Sequence, residues 1–290
     1  MRRKPYPIPN LTGGLNVGQD PVYLEDKDSP DQRLVRYYQQ RVCKDYELSA
    51  FTASLSSAIQ HVNTYTQLDG DSYLMGCTLT GLYYYSEASG AWSTISSSAF
   101  TGTSTDYFCS TTFNDLFIVT NGKDNIKKWN GSTLADLGGS PPLAKWLIPF
   151  YSRLVLLNVT SSGTRYPYRV QWSVVGDPET WTGTGSGIID LIESQDSITA
   201  AVLLGDRLFI FRETSIWELY YVGGTQVFRV RLIASGVGAL SPRAIISTAM
   251  SIYFLGLDGV YQFNGSTLKR IDKQVWNLLS GVGERSIVSL

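Results

Sequence analysis

Short apolar bursts recur along this chain, and each is followed by a more polar burst rich in aromatic residues. The apolar members are Ser72-Tyr-Leu-Met75, Asp115-Leu-Phe-Ile118, Arg153-Leu-Val-Leu156, Arg207-Leu-Phe-Ile210 and Ser251-Ile-Tyr-Phe254. Their partners are Gly81-Leu-Tyr-Tyr-Tyr85, Asn125-Ile-Lys-Lys-Trp129, Val170-Gln-Trp172, Ile216-Trp-Glu-Leu-Tyr220 and Gly259-Val-Tyr-Gln-Phe263. The partners start at residues 81, 125, 170, 216 and 259, in steps of 44, 45, 46 and 43. Runs this short, rich in branched and aromatic residues, read as strands. Turn formers that tolerate positive φ lie between the members of a pair, as in Gly122-Lys-Asp-Asn125 and Leu257-Asp-Gly259. Each unit therefore holds a hairpin whose first strand is buried and whose second is more polar. Two units continue through the same pentapeptide, Asn130-Gly-Ser-Thr-Leu134 and Asn264-Gly-Ser-Thr-Leu268, 134 residues or about three periods apart.

Four strands of about five to six residues, with their turns, use about 40–45 residues, which is one blade of a β-propeller. The pattern predicts an all-β chain, a β-propeller of about five to six blades. Residues 1–45 are set apart as an N-terminal arm that docks or closes the ring, and 46–290 as the propeller domain. Only Ser29–Val42 and Lys273–Leu279 could carry a helical turn. Five units are visible, and Arg285-Ser-Ile-Val-Ser-Leu290 reads as the start of another strand. Either residues around 46–60 complete a sixth blade or partners close the ring, since an open sheet edge invites aggregation.

Composition agrees with the strand reading: 43% apolar and 12% aromatic, with 18 Tyr and 27 Gly. A net charge of −1 and a pI near 5.9 exclude a basic nucleic-acid clamp. The one basic cluster, Arg2-Arg3-Lys4, is a solvated terminus or a docking arm for an acidic neighbour. Cys43, Cys77 and Cys109 are too few and too widely spaced for a disulfide framework or a zinc site. They read as small buried hydrophobes in a reducing compartment. No run of 18 apolar residues suggests a membrane span, and Pro5, Pro7 and Pro9 interrupt any signal-peptide core. The Asn-x-Ser/Thr sites at Asn10, Asn130, Asn158 and Asn264 read as turn chemistry.

Catalytic chemistry finds little support. The single histidine, His61, sits in a strand-like run, where a backbone partner is expected to satisfy it. One histidine cannot supply a zinc ligand set, and no Gly-x-Ser-x-Gly elbow exists. Leu24-Glu-Asp-Lys-Asp-Ser-Pro-Asp31 lacks the central Gly of a calcium loop, and Asp69-Gly-Asp71 reads as a tight turn. Gly183-Thr-Gly-Ser-Gly187 and Gly236-Val-Gly238 read as loops between blades rather than phosphate cradles. The nearest approach to a sialidase Asp box, Ser86-Glu-Ala-Ser-Gly-Ala-Trp92, lacks its Asp and Thr. Asp177, Glu179 and Glu193 are the carboxylates to test for glycan chemistry, with turn capping as their plain role. No catalytic, metal or cofactor residue is assigned, and the chain is read as a non-enzyme.

Several runs are more specific than a generic repeat. These are Leu11-Thr-Gly-Gly-Leu-Asn16 with Asp28-Ser-Pro30, Tyr166-Pro-Tyr-Arg-Val-Gln-Trp-Ser173, Gly176-Asp-Pro-Glu-Thr-Trp181, Phe211-Arg-Glu-Thr-Ser-Ile-Trp217 and Asp258-Gly-Val-Tyr261. Together they resemble the β-propeller tail proteins of tailed bacteriophages, the nozzle and packaged-DNA stabilisation proteins of short-tailed phages. The resemblance implies a virion protein made in the host cytoplasm. It implies a homo-oligomeric, hexameric ring below portal and adaptor, which extends the DNA channel and retains double-stranded DNA until ejection. Near-neutral charge suits a wall that does not grip phosphate. Tyr84, Tyr85, Trp217, Tyr220 and Tyr221 are candidate subunit contacts, with propeller core as the alternative, and Arg2, Arg3 and Lys4 candidate docking contacts. The third unit has an enlarged hairpin, Asn158–Arg165, so Ser161, Ser162, Gly163, Thr164 and Arg165 are a candidate channel or contact loop. The alternative function is a carbohydrate- or receptor-binding propeller module.

Overall fold

The computed structural model describes residues 57–193 and 196–272, with short pieces at 14–16, 24, 28–29, 35–38, 41–44 and 54–55. Five four-stranded antiparallel sheets follow one another in chain order, each with its strands in sequence order. The first is Ile59–Thr66, Ser72–Thr78, Leu82–Ser86 and Ala91–Ser96. The second is Cys109–Phe113, Leu116–Thr120, Lys127–Trp129 and Leu134–Asp136. The third is Leu143–Phe150, Arg153–Ser161, Thr164–Trp172 and Gly187–Asp190. The fourth is Ile198–Leu204, Arg207–Arg212, Ser215–Tyr221 and Phe228–Ser235. The fifth is Ile245–Ser247, Ile252–Leu255, Val260–Phe263 and Leu268–Arg270. First strands of successive sheets lie side by side. Sequential sheets radiating from a common set of inner strands make a β-propeller of five blades among the described residues.

The paired bursts are the second and third strands of every blade. Second strands are buried along most of their length, as in Leu154–Leu157 and Leu208–Phe211, because both of their faces pack against neighbouring blades. Apolar seams form between consecutive blades. Tyr65, Cys77, Phe117 and Trp129 join blades one and two. Ile118, Leu147 and Leu156 join two and three, while Val155, Trp172, Ile210 and Trp217 join three and four. Phe209, Phe211, Phe254 and Phe263 join four and five. Trp146 touches the last three of these seams from the axis. Between blades five and one the described link is polar: Arg243 reaches Gln60 at 3.5 Å.

Both Asn-Gly-Ser-Thr-Leu runs form the same turn from third to fourth strand. The Asn130 side-chain oxygen accepts from the Ser132 and Thr133 amides at 3.1 and 2.8 Å. Asn264 accepts from Ser266 and Thr267 at 3.1 and 2.7 Å. The following glycines hold φ of 92° and 89°, which a side chain would oppose. Asp69-Gly-Asp71 is a tight turn as expected, closed by the Asp71 amide on the Asp69 carboxylate.

Several expectations are corrected. Val35–Tyr38 and Arg41–Lys44 pair as an antiparallel hairpin where a helical turn was anticipated within Ser29–Val42; branched and aromatic residues there favour the pleated form. Gly183–Gly187 lies inside blade three, between its third and fourth strands, whereas Gly236-Val-Gly238 does lie between blades. Residues 59–66 form the inner strand of the first blade, while 46–53 and 56, in the segment suggested for a sixth, lie outside the described residues. The Asn158–Arg165 hairpin holds no enlarged loop: its strands are long and meet at the two-residue turn Ser162-Gly163, with φ of 50° and 78°. Asn158 is not a turn residue either. It sits at a bulge with φ 54°, buried, its amide donating to the Ile198 carbonyl at 2.8 Å. Arg2, Arg3, Lys4, Asn10, Lys273–Leu279 and Arg285–Leu290 lie outside the described residues.

Candidate functional site

Inner strands begin on one face of the disc, and their starts surround an axial pocket of about 170 Å³. Tyr107 and Asp106 precede the second blade, Lys145 and Trp146 open the third, and Ser197–Thr199 open the fourth. Asn158 and Arg165 enter from the second and third strands of blade three, and Glu213 from a turn of blade four. Trp146 anchors the wall by donating its indole N–H to the Ala201 carbonyl at 2.8 Å. Lys145 is exposed, yet the pocket walls partly enclose its ammonium. That enclosure, and then the neighbouring Arg165 guanidinium, hold its ammonium below the ordinary lysine range, against the pull of Asp106. Asp106 itself accepts from the Thr103 amide and hydroxyl at 2.8 and 2.9 Å.

His61 lies near this axis. Its Nε2 meets the Ser110 hydroxyl of blade two at 2.8 Å, so a side chain satisfies it rather than the backbone partner expected. Burial, and secondarily Arg243, lower its pKa to about 4. The Arg243 guanidinium stacks 4.7 Å above the Tyr107 ring.

An exposed aromatic ledge occupies the opposite face. Tyr151 and Tyr221 stack at 4.7 Å with their planes 9° apart, and each is 45% exposed. Tyr151 comes from the first turn of blade three and Tyr221 from the end of a third strand in blade four. Val175 and Val222 extend the patch, at 59% and 43% exposure. Beneath it, Arg153 is buried, with its guanidinium 5.7 Å from the Phe228 ring and 6.0 Å from Tyr221. Arg153 donates to the Gly185 and Tyr151 carbonyls at 3.1 and 3.0 Å, so the glycine-rich run braces the ledge.

The other candidate contacts divide by burial. Trp217 is 6% exposed and belongs to the seam between blades three and four, which corrects its reading as a contact. Tyr84 stacks on Trp129 at 5.6 Å within the first seam. Tyr85 packs edge-on to Trp92 at 5.8 Å. Tyr220 is half-buried under Arg231, 5.6 Å from its ring. Ser161 and Thr164 are paired strand residues, and Arg165 is the member of that segment that reaches the axial pocket.

Two of the carboxylates singled out for glycan chemistry have structural partners. Asp177 caps a turn by accepting from the Glu179 amide and the Thr180 hydroxyl at 2.8 and 2.7 Å. Those bonds, the hydroxyl's first, hold its pKa below the usual carboxylate range. Glu179 ties blade three to blade two, accepting from Lys128 Nζ at 2.7 and 2.8 Å and from the Gly138 amide. Glu193 is exposed. Cys77 and Cys109 are buried free thiols, each pushed up to about 12 by burial; the Cys43 side chain lies outside the described residues. Among the described residues no group of three His, Cys, Asp or Glu could hold a metal, and no helix is long and apolar enough to cross a membrane.

No protein-family model and no curated protein matches the chain. Solved structures with similar folds exist at low identity. Two are crystal structures of the extracellular domain of BT4673 from B. thetaiotaomicron, 10% and 13% identical, each with a TM-score of 0.49. They cover 73% and 80% of this chain, which spans 27% and 32% of theirs. The β-propeller domain of Cps50 (Swd1) from Myceliophteria thermophila is 9% identical, covering 73% of this chain and 66% of its own, with a TM-score of 0.47. A catalytically inactive virginiamycin B lyase from Staphylococcus aureus is 9% identical, covering 76% and 73%, with a TM-score of 0.49. At such identities and TM-scores these likenesses carry no functional argument, and function rests on this chain's own surfaces.

Proposed function

We propose that this chain is a structural propeller of a phage tail, one copy of a ring that extends the DNA channel below portal and adaptor. The tyrosine ledge carries this reading. It is broad, exposed, aromatic and braced by buried Arg153, the kind of preformed surface that protein partners cover. The family resemblance of the sequence supplies the tail context. The axial pocket, at about 170 Å³, has no room for a duplex whose major groove alone is about 12 Å wide. DNA would therefore pass through the centre of a ring of copies, outside any single propeller's axis. A chain of net charge −1 lets DNA slide past without many ion contacts. The two-residue Ser162-Gly163 turn offers no long loop to gate that passage.

Light scattering and negative-stain imaging of the purified chain test the reading. Rings of about six copies of 32.1 kDa are expected, and Tyr151→Ala with Tyr221→Ala should reduce them to smaller species without unfolding them. A compact monomer that forms no ring on tail assemblies and binds glycans on an array would replace this reading with the carbohydrate-binding module.

A further inference from the structure

The face of the disc that bears the tyrosine ledge is acidic. On it lie the turns from first to second strand and from third to fourth strand of every blade. These turns carry Asp69, Asp71, Glu87, Asp115, Asp177 and Asp206, none of which has an ion-pair partner among the described residues. The same turns contain no Lys or Arg. Asp177 stands beside the ledge: it follows Val175 and Gly176, and the Gly176 amide donates to the Ser152 carbonyl at 2.6 Å. Asp206 is exposed, in the turn of blade four that corresponds to the Tyr151 turn of blade three.

The ledge also has unused hydrogen-bonding capacity. Neither the Tyr151 nor the Tyr221 hydroxyl has a partner among the described residues. Mutual stacking and the Arg153 guanidinium hold the rings in place, so covering them costs little side-chain freedom. A matching partner carries cations and offers backbone carbonyls to the two phenols. The chain itself contains such a segment, in which Arg2-Arg3-Lys4 lead into Pro5-Tyr-Pro-Ile-Pro9. Each proline fixes its own φ and drives the residue before it towards extended backbone, so this alternation favours polyproline II. That helix makes no internal hydrogen bonds, and aromatic surfaces bind it at low ordering cost. The basic run complements the acidic turns.

We propose that the tyrosine ledge docks residues 2–9 of a second copy of this chain. The proline run crosses Tyr151 and Tyr221, and the basic run lies towards Asp177 and Asp206. An arm of one copy on the ledge of the next is a head-to-tail contact, which generates a ring when its rotation closes. The choice of a second copy rests on the ring reading above; the fit of the arm to the ledge does not.

Fluorescence anisotropy with a labelled synthetic peptide of residues 1–12 tests this. The receptor is the full chain carrying Pro5→Ala, Pro7→Ala and Pro9→Ala, so that its own arm competes weakly. Saturable binding is expected, weakening as salt rises. Tyr151→Ala with Tyr221→Ala in the receptor should weaken it about tenfold or more, and Asp206→Asn about threefold. Unchanged melting curves would show that these receptors fold. Mixing the proline variant with the tyrosine variant should give pairs of copies and nothing larger, because one arm and one intact ledge remain. No saturable binding at millimolar peptide overturns the docking, as does equal affinity for a scrambled peptide or parent-like affinity in the tyrosine variant. Rings that form without peptide binding remove the docking alone. Peptide binding to a parent chain that stays monomeric removes the ring reading and keeps the docking. Peptide binding without pairs in the mixture assigns the arm to its own copy and overturns the exchange.

Discussion

At the scale of single residues, burial decides roles that the alphabet leaves open. His61 is the chain's one histidine, which makes it a clean probe. Its unfolded imidazole takes a proton below the ordinary 6.5, and the folded one only near 4. Its contribution to stability is therefore complete above pH 6.5 and lost as pH falls towards 4, by about 3 kcal/mol at most. Denaturant midpoints across that range should fall in the parent chain, and His61→Gln should flatten the slope. Asn130→Ala and Asn264→Ala should each cost about 1 kcal/mol, additively, because each removes one turn acceptor far from the other. Trp217 and Tyr221 are four residues apart in one strand yet differ entirely in exposure. Trp217→Ala should cost about 3–5 kcal/mol in urea denaturation, whereas Tyr221→Ala should leave monomer stability nearly unchanged. Their aromatic character is equal in the sequence, so only the neighbouring blade separates core from contact.

At the scale of elements, outer hairpins share a device. Lys127 faces Asp136 across the outer strands of blade two, Arg169 faces Asp190 in blade three, and Glu218 faces Arg231 in blade four. The ion-pair distances are 2.6, 2.7 and 2.6 Å. Charges on outer strands discourage edge-to-edge pairing. Glu218 is the most buried of these carboxylates and binds Arg207 as well, at 2.8 Å. Bonds from Arg207, then Arg231, lower its pKa despite burial, so its stabilisation holds above the ordinary 4.5 and fades as pH falls through the folded value. Glu218→Gln should lose about 2–3 kcal/mol by leaving two guanidinium groups without a carboxylate. Gly139 marks another constraint. Its φ is 72° and any Cβ would strike the Glu179 backbone, so Gly139→Ala should open the joint between blades two and three and lower the melting temperature. Strand pairs and Asn-Gly turns were legible because period, turn residues and burial are local properties. The long blade-three hairpin read as a loop because its Ser, Thr and Gly residues carry turn propensity, while cross-strand pairing and the Asn158 bulge depend on partners distant in the chain.

At the scale of the whole molecule, four apolar seams hold five blades in order, and a polar contact between Arg243 and Gln60 spans the first and last. Sheet alternation turns Val62 away from blade two and Ile246 away from blade four, at 49% and 65% exposure. Both side chains thus lie on the side where blades one and five approach each other, and if the proposed ring forms, crosslinks between copies should map to the tyrosine ledge.

The sequence by itself determined the blade repeat, the second- and third-strand pairs and the repeated Asn-Gly turn. Each follows from hydrophobic periodicity and backbone preferences acting over a few residues. Only the tertiary structure decided which aromatics are core, which carboxylates are tied down, and that Lys145, Asn158 and Arg165 meet at one pocket. Core and contact depend on how blades rotate about a common axis, and the pocket trio on the pairing of three strands within blade three, neither of which a local pattern specifies.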